Sequence, residues 1–584
     1  MNDRYLKIKE LAEHAHDNPG GPNLWPRVQE LAWRLIKDCV PRLGDDLQAA
    51  AVALATAKIL LVVDLSARNW HRVVAIGWVM ATAIGKIDLD NETRPRPGLL
   101  EAFARDLFRN AEMIAYAAHH AGVPAAAGAV AEQLTSIRLG DRMLHRSVSA
   151  VATEQSASAL SQVLQTLSGQ LSNARGAPTF AGEPDELDAF YSQQILADFQ
   201  RIDHNRTGGA RVALAGATGA TLEAMRATGR SLVYLGGGVD DGVAIRFDAA
   251  AINVPQTRLA TSIILHGADI KTIEKKVSEL HAAATDRREG RITGLVLSQH
   301  IEQLLEWLGR TLWQPLLDRW PDLREQSLAI VPLGEVAQLP LYTALIDGRP
   351  VCAVLDLTIA PSARSLVLAA EAPVASGTVL VAADPSSGDN ELPCVVTEAK
   401  AVADVHGVAP TIIGGVVVPG NDDNLRSATR QAFDVGAQAS QELVERIRAS
   451  AIVHLACHGM INPAEPLDSA LLLGGSLPVS VILAEDLRPG ALIVLSACDL
   501  AGIGTHTPGE QLGFPAVLLA CGARSVVAAL WPVPDTPRTV RLMTRFHEGL
   551  ATMTATKALG SAIERARDHG APATLWAPFS YFGA

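Results

Sequence analysis

The chain has few cysteines for its length, and they follow no regular spacing. Six cysteines are spread over 584 residues, at positions 39, 352, 394, 457, 498 and 521. A secreted disulfide framework requires dense, patterned cysteines, so this class of protein is excluded. The first 18 residues are polar with a helical pattern, unlike a secretory signal peptide. We therefore expect a reducing, cytoplasmic location.

Long hydrophobic runs and an excess of positive charge are also missing. The most apolar stretch, 49–63, contains Lys58 and is shorter than the roughly 20 residues that a membrane span requires. It predicts a buried, alanine-rich helix and no membrane partner. The net charge of −12 and a pI near 5.8 give no basic surface for phosphates, so no direct nucleic-acid binding is expected.

Two apolar runs that each stop at a reactive side chain are the main positive signal. SAIVHLACHG ends at His458 and Gly459, and ALIVLSAC ends at Cys498. Continuous apolar runs bounded by polar residues are typical of buried parallel strands, whose carboxyl ends collect ligands and catalytic groups. A thiol is mostly protonated at neutral pH, and a neighbouring histidine can convert it into a thiolate. The pattern predicts a nucleophile and its base.

A zinc site is the alternative for the histidines and cysteine at 454–458, and it is disfavoured. No second pair of close ligands completes a tetrahedral set. His454 and His458 share one face of an extended strand but lie roughly 13 Å apart, too far for one ion. We expect no metal and no other cofactor, with Cys457 and Cys521 packed in the core.

Five ordered motifs resemble the CHAT domain, a caspase-like cysteine peptidase family that is related to separase. They are HLACHG at 454–459, ALIVLSAC at 491–498, the segment 509–535, LWAPFSYFG at 575–583, and the upstream pair 330–350 and 360–366. The similarity extends from about residue 231 to the C-terminus. It implies an α/β caspase-like fold, three-layered, with a mostly parallel sheet flanked by helices.

The resemblance also assigns roles to individual residues. His458 is implied as the base and Cys498 as the nucleophile, with an oxyanion hole formed by the backbone N–H groups of Gly459 and Cys498. Ser496, two positions before the nucleophile, is implied to line the primary specificity pocket. LWPVPD resembles the separase W-x-V-x-D motif, which implies that Asp535 binds a cationic side chain before the scissile bond. Alternatively, Asp535 caps the helix that follows it.

The pattern of hydrophobic residues divides the chain into three parts. Residues 1–205 predict an all-helical regulatory or docking domain, with no clean 34-residue repeat. Strand and helix patterns alternate from about residue 210. They predict a catalytically silent caspase-like subdomain at 210–375 and an active one at 376–584. Among the silent half's elements we expect a helix over 257–284 and a strand over 350–362.

Three functions remain open from the sequence. The first is a cysteine endopeptidase that cleaves specific protein partners and is gated by a partner that binds the N-terminal helices. The second is a non-catalytic caspase-like scaffold, and the third is an acyl-transfer enzyme for non-protein substrates. The intact His458 and Cys498 favour the first. By family analogy alone, the setting is bacterial defence or regulated cell death, with a gasdermin-like or other effector protein as substrate.

Overall fold

The architecture is known from a computed structural model. It describes residues 1–17, 23–43, 46–93, 99–135, 217–253, 260–372, 377–385, 392–412, 437–460, 470–473, 476–478, 490–497 and 514–584. Within these ranges the chain forms two compact units. The first unit comprises Met1–Glu223 and Tyr234–Ile264, and the second comprises Ala224–Val233 and Leu265–Ala584.

The described α-helices are α1 Asn2–Asp17, α2 Trp25–Cys39, α3 Leu47–Ser66, α4 Trp70–Thr93, α5 Leu99–His120, α6 Pro124–Thr135, α7 Ala217–Thr228, α8 Ile270–Arg288, α9 Gly294–Leu308, α10 Gln314–Arg319, α11 Val351–Val354, α12 Ala363–Glu371, α13 Pro393–His406, α14 Ala437–Arg448, α15 Phe514–Ala520, α16 Pro537–Gly549, α17 Ala555–Asp568 and α18 Ala573–Trp576.

The described strands are β1 Ser231–Gly236, β2 Gly242–Phe247, β3 Ala260–Leu265, β4 Ser327–Pro332, β5 Leu345–Ile346, β6 Arg349–Pro350, β7 Asp356–Ile359, β8 Thr378–Ala383, β9 Thr411–Ile412, β10 Ser450–Met460, β11 Ala470–Leu472, β12 Ser476–Pro478, β13 Leu492–Ala497, β14 Ser525–Ala529 and β15 Phe579–Gly583.

The first unit is helical up to residue 135, as the sequence pattern predicts, and adds strands from farther along the chain. Helices α1 to α6 pack mainly against their sequence neighbours. Val28, Leu35, Ala111 and Ile114 are buried, and Leu31 is partly exposed. Strands β2, β3 and the end of β1 belong to the same unit. Within it, the Tyr234 hydroxyl donates a hydrogen bond to a buried glutamate, Glu132, at 2.9 Å.

The second unit is built on a mostly parallel sheet. Its strands run in the order β12-β11-β10-β13-β14-β15-β7-β4, and β8 also pairs with β10. The pairs of β10 with β8 and β13 are parallel, as are β13 with β14 and β4 with β7, whereas β15 runs antiparallel to β14. Strand β10 therefore has a parallel neighbour on each side, which explains why its sequence is continuously apolar.

Helix α13 lies between β8 and β9 in the chain and has clear sequence signals at both ends. Pro393 occupies the first turn, where its missing N–H costs nothing. Gly407 ends the helix in the left-handed conformation, at φ +64°, directly after His406. The helix packs against β8, β10 and α16. It thus runs beside the strand that carries the two candidate histidines.

The predicted fold class is confirmed: a mostly parallel sheet flanked by helices, with an N-terminal helical region. Two element predictions were wrong. The stretch 257–284, expected to be one helix, contains strand β3 before α8, because ATSIIL is rich in β-branched residues. The stretch 350–362, expected to be one strand, begins with the short helix α11 before β7. The predicted division at residues 205 and 375 stays a prediction.

One helix among the described residues, α3, is long and apolar enough to cross a membrane by length and composition. In the structure, 56% of its most apolar window is buried within the protein. Asp46 caps this helix by accepting hydrogen bonds from the backbone N–H groups of Gln48 and Ala49. Core helices of globular proteins pass the same length criterion, so this is weak evidence for a span.

Candidate active site

The two runs that suggested a site form adjacent parallel strands. Residues 452–457 of β10 pair in register with 492–497 of β13, and the last pair is Cys457 with Ala497. His458 directly follows Cys457, and Cys498 directly follows Ala497 in the sequence. Neighbouring strands are about 4.8 Å apart. Cys498 itself lies outside the described residues, so its distance from His458 is not given by the structure.

His458 and Gly459 lie in the strand itself, where β10 extends past its parallel partners. These two residues and Met460 pair antiparallel with β11, with His458 opposite Leu472 and Gly459 opposite Leu471. Gly459 has no positive φ, so it does not need glycine for a left-handed backbone. Its missing side chain leaves room near the backbone instead. His458 and Gly459 are both partly exposed.

Ser496 lies on the same face of the sheet as His454. It pairs with Ala456 of β10, and side chains alternate between the two faces along a strand. Ser496 is partly exposed, in contrast to the buried Val494 before it on the same face. A small side chain at this position leaves space above the sheet, and its role in binding a substrate stays a prediction.

Asp535 caps a helix, but not the helix that follows it in sequence. Its Oδ2 accepts a hydrogen bond from the backbone N–H of Cys394, in the first turn of α13, at 2.9 Å. The following helix, α16, has Thr536 at its N-cap with no side-chain cap hydrogen bond. The Asp535 carboxylate therefore caps α13. The alternative, a cap on α16, was wrong.

The electrostatic surroundings of Asp535 link it to two further groups. Burial raises the pKa of the Asp535 carboxyl above its ordinary value, and the charge of Glu398 raises it further. The hydrogen bond from Cys394 and the nearby His458 lower this pKa. Asp535 therefore lies within electrostatic range of His458, although the distance between their sequence positions gives no hint of it.

His454 is a buried member of a hydrogen-bonded chain of side chains. Its Nε2 lies 3.0 Å from Glu398 Oε1, and its Nδ1 lies 3.1 Å from Nε2 of His547 on α16. The Nδ1 of His547 lies 2.9 Å from Nε2 of His406, the last residue of α13. We call Glu398, His454, His547 and His406 the histidine chain.

Sequence reasoning considered His454 as a zinc ligand, a role that it disfavoured, and missed the side chains that His454 contacts. Glu398 and His406 lie eight residues apart on α13, or about 12 Å along the helix axis. That spacing by itself does not distinguish them from ordinary surface residues. Only the packing of α13 and α16 on β10 brings the four side chains together.

The cysteines in the described part of the chain, which does not include Cys498, are poor nucleophiles. Cys457 and Cys521 are both 1% exposed, which confirms that they pack in the core. Cys394 is partly exposed, but burial raises the pKa of its thiol, and the charges of Asp535 and Glu398 raise it further. A raised pKa reduces the thiolate fraction at neutral pH. Among residues 1–17 and the other described ranges, no group of three or more His, Cys, Asp or Glu side chains could hold a metal ion.

Comparison with known proteins agrees with the motifs. None of the curated proteins matches the chain significantly. The crystal structure of the Saccharomyces cerevisiae separase–securin complex aligns with 10% sequence identity and a TM-score of 0.41, over 96% of this chain and 50% of that chain. This chain thus spans half the length of the solved chain. Residues 302–584 match the model of the CHAT domain family.

Proposed function

We propose that the protein is a cysteine endopeptidase that uses His458 as base and Cys498 as nucleophile. One observation carries the proposal: β10 and β13 are neighbouring parallel strands whose last paired residues, Cys457 and Ala497, directly precede the two proposed catalytic residues. Because neighbouring strands lie about 4.8 Å apart, a base and a nucleophile that each directly follow this pair are expected to lie close enough for proton transfer. The CHAT domain match supports the same chemistry.

The proposed reaction begins with transfer of the Cys498 thiol proton to the His458 imidazole. The thiolate attacks the scissile carbonyl, and backbone N–H groups of Gly459 and Cys498 stabilise the oxyanion. Loss of one such donor typically costs about a hundredfold to a thousandfold in rate. His458 then protonates the leaving amine, and water hydrolyses the thioester.

Comparison of protein N-termini in a lysate tests the proposal. We expect new N-termini after incubation with the wild-type protein and none with Cys498→Ala, since only the former carries the nucleophile. A peptide electrophile should label Cys498 covalently, and Cys394→Ala is the matched control because that thiol is partly exposed. Identical N-termini in both samples, together with no labelling of Cys498, would favour a non-catalytic scaffold.

We further propose that the helices of residues 1–205 hold the peptidase in a low-activity state until a partner binds. Support comes from the size of this region and from its lack of the proposed catalytic residues. Residues Tyr234–Ile264 cluster with Met1–Glu223 in one unit, so a fragment that starts at residue 210 would divide that unit.

A cut in the intact chain tests this regulation without removing that unit. A recognition site for an exogenous protease is inserted in the Gly- and Pro-rich segment 176–186. Cutting there is expected to increase peptide hydrolysis at least about tenfold, because a covalent restraint on the low-activity state is lost. The inserted but uncut chain is the control. Equal, high rates before and after the cut would contradict gating.

A further inference from the structure

The histidine chain connects a buried carboxylate with the protein surface. Glu398, His454 and His547 are 2%, 0% and 1% exposed, respectively. His406 is partly exposed at the end of α13. Three buried titratable groups in one continuous line are costly unless each is hydrogen bonded. Here each of them has a partner in the line, and the line reaches solvent only at His406.

The hydrogen-bond geometry allows one arrangement of hydrogens when all three rings are neutral. Each of the three contacts requires one hydrogen, and each neutral ring supplies one. Because a carboxylate only accepts, His454 donates from Nε2 to Glu398. Its Nδ1 must then accept from His547 Nε2. By the same reasoning, His547 Nδ1 accepts from His406 Nε2. The Nδ1 of His406 is left bare.

One added proton reverses this arrangement. The proton binds to His406 Nδ1, and the hydrogen on His406 Nε2 passes to His547 Nδ1. The hydrogen on His547 Nε2 then passes to His454 Nδ1. At each step one N–H bond breaks and one forms, so His406 and His547 end neutral with the opposite tautomer. The positive charge finishes on His454, beside the Glu398 carboxylate.

The burial of His547, in the middle of the histidine chain, disfavours a positive charge that stays on this residue. Burial lowers the pKa of His547 well below its ordinary value, and repulsion from His454 and His406 lowers it further. Burial, followed by repulsion from His454, also lowers the pKa of His406. Charge is therefore disfavoured on His547 and His406, whereas His454 lies 3.0 Å from the negative charge of Glu398.

The inner end of the histidine chain, at Glu398, adjoins the candidate site. The charges of Asp535 and Glu398 both act on the Cys394 thiol at the start of α13, and His458 on β10 acts on Asp535. The backbone N–H of buried Asp384, after β8, bonds to Ala456 of β10. The other charged side chains of α13 and α16 are exposed or partly exposed, namely Lys400, Asp404, Arg538, Arg541, Arg545 and Glu548.

We propose that Glu398 and the three histidines are positioning residues of the active site: the histidines carry a proton from the surface to His454, beside Glu398, and so set the charge near Asp535. This inference rests on the proposed peptidase function for its consequence, but not for the proton transfer. When the histidine chain takes up a proton, the positive charge on His454 offsets the negative charge of Glu398. The repulsion on Asp535 then falls, and Asp535 stays ionised to lower pH.

Nuclear magnetic resonance of the full-length Cys498→Ala protein tests the transfer. The 16 histidines are labelled with ¹⁵N. The signals of the three rings in the histidine chain are assigned from single His→Gln variants. Between pH 8 and pH 5, His547 is expected to change from the Nε2–H to the Nδ1–H tautomer, and His454 is expected to gain a second N–H at Nδ1, in one shared step. In His406→Gln, this step should disappear or move to lower pH, since the entry point is lost.

The matched control is His569→Gln, an exposed histidine of the same unit whose ring bonds only to the backbone of its own helix. It should leave the step unchanged. The proposal is overturned if His547 keeps one tautomer throughout and His454 gains no second N–H, or if His406→Gln leaves their step in place. Because the Cys498→Ala protein lacks the proposed nucleophile, either result holds whether or not the wild-type protein is a peptidase.

The coupling to the site is measured separately. In the same Cys498→Ala background, the ¹³C signal of the Asp535 carboxyl should titrate at higher pH in His406→Gln than with His406 intact. In the active enzyme, His406→Gln should lower kcat/KM for substrates with Arg before the scissile bond by up to about tenfold at pH 6, with no change at pH 8. A tautomer step with an unchanged Asp535 titration overturns the coupling. An unchanged kcat/KM with a shifted Asp535 titration overturns the role in the reaction.

Discussion

Cys498→Ala is expected to abolish peptide cleavage, and His458→Ala is expected to do the same. The first change removes the proposed nucleophile, and the second removes the base that activates it. Each loss should be roughly 10⁴-fold or more in kcat, because residues that act as a unit each account for most of the rate. For the same reason the double variant should be no slower than either single variant. Initial rates on a fluorogenic peptide give the comparison.

Two controls show whether such losses of activity come from the missing catalytic group and not from unfolding. They are the thermal stability of the variants and the activity of variants at other cysteines. Neither single variant should lower the thermal unfolding temperature by much. The His458 side chain is partly exposed, and the pairing of this residue with β11 depends on its backbone. Cys457→Ala and Cys521→Ala alter buried thiols in the same unit and should remain active. Full activity in Cys498→Ala, with activity lost in Cys457→Ala, would show that the wrong cysteine was assigned.

Asp535→Asn and Asp535→Ala are expected to separate two roles of one carboxylate. Both variants remove the charge that would pair with Arg or Lys before the scissile bond, so both should lose roughly a hundredfold in kcat/KM on such substrates. Only Asp535→Ala also removes the acceptor for the Cys394 N–H at the start of α13. It alone should destabilise the protein, by about 1 kcal/mol. Kinetics on matched peptides and thermal unfolding give both values.

Asp269→Ala is the matched control for the capping role. Asp269 caps α8 by accepting from the Thr272 N–H at 3.1 Å, and it belongs to the same unit. Its loss should lower stability by a similar amount and leave the cleavage preference unchanged. A wild-type enzyme that cuts only after acidic or bulky apolar residues, or an Asp535→Asn variant that still prefers Arg, would remove Asp535 from substrate recognition.

Strands β1 and β2 illustrate how local sequence determines secondary structure. SLVYLG and GVAIRF form them, because each is a short apolar run enclosed by turn residues. The wrong prediction for 257–284 overlooked a short turn. Gly267, with φ +76°, and the N-cap Asp269 separate strand β3 from helix α8.

The sequence by itself determined the class of fold and the candidate dyad. His458 and Cys498 follow apolar runs directly, and the physical preference of such runs for buried parallel strands is local information. The motif order that resembles a CHAT domain is likewise contained in the sequence, and the family match over residues 302–584 agrees with it.

Only the tertiary structure decided which helix Asp535 caps and which side chains surround His454. Asp535 and Cys394 are 141 residues apart, as are His406 and His547. Hydrogen bonds at such separations depend on how α13 and α16 pack on β10, and that packing is a collective property of the core. No spacing rule relates residues on different elements, so the histidine chain could not be inferred until these elements were in place.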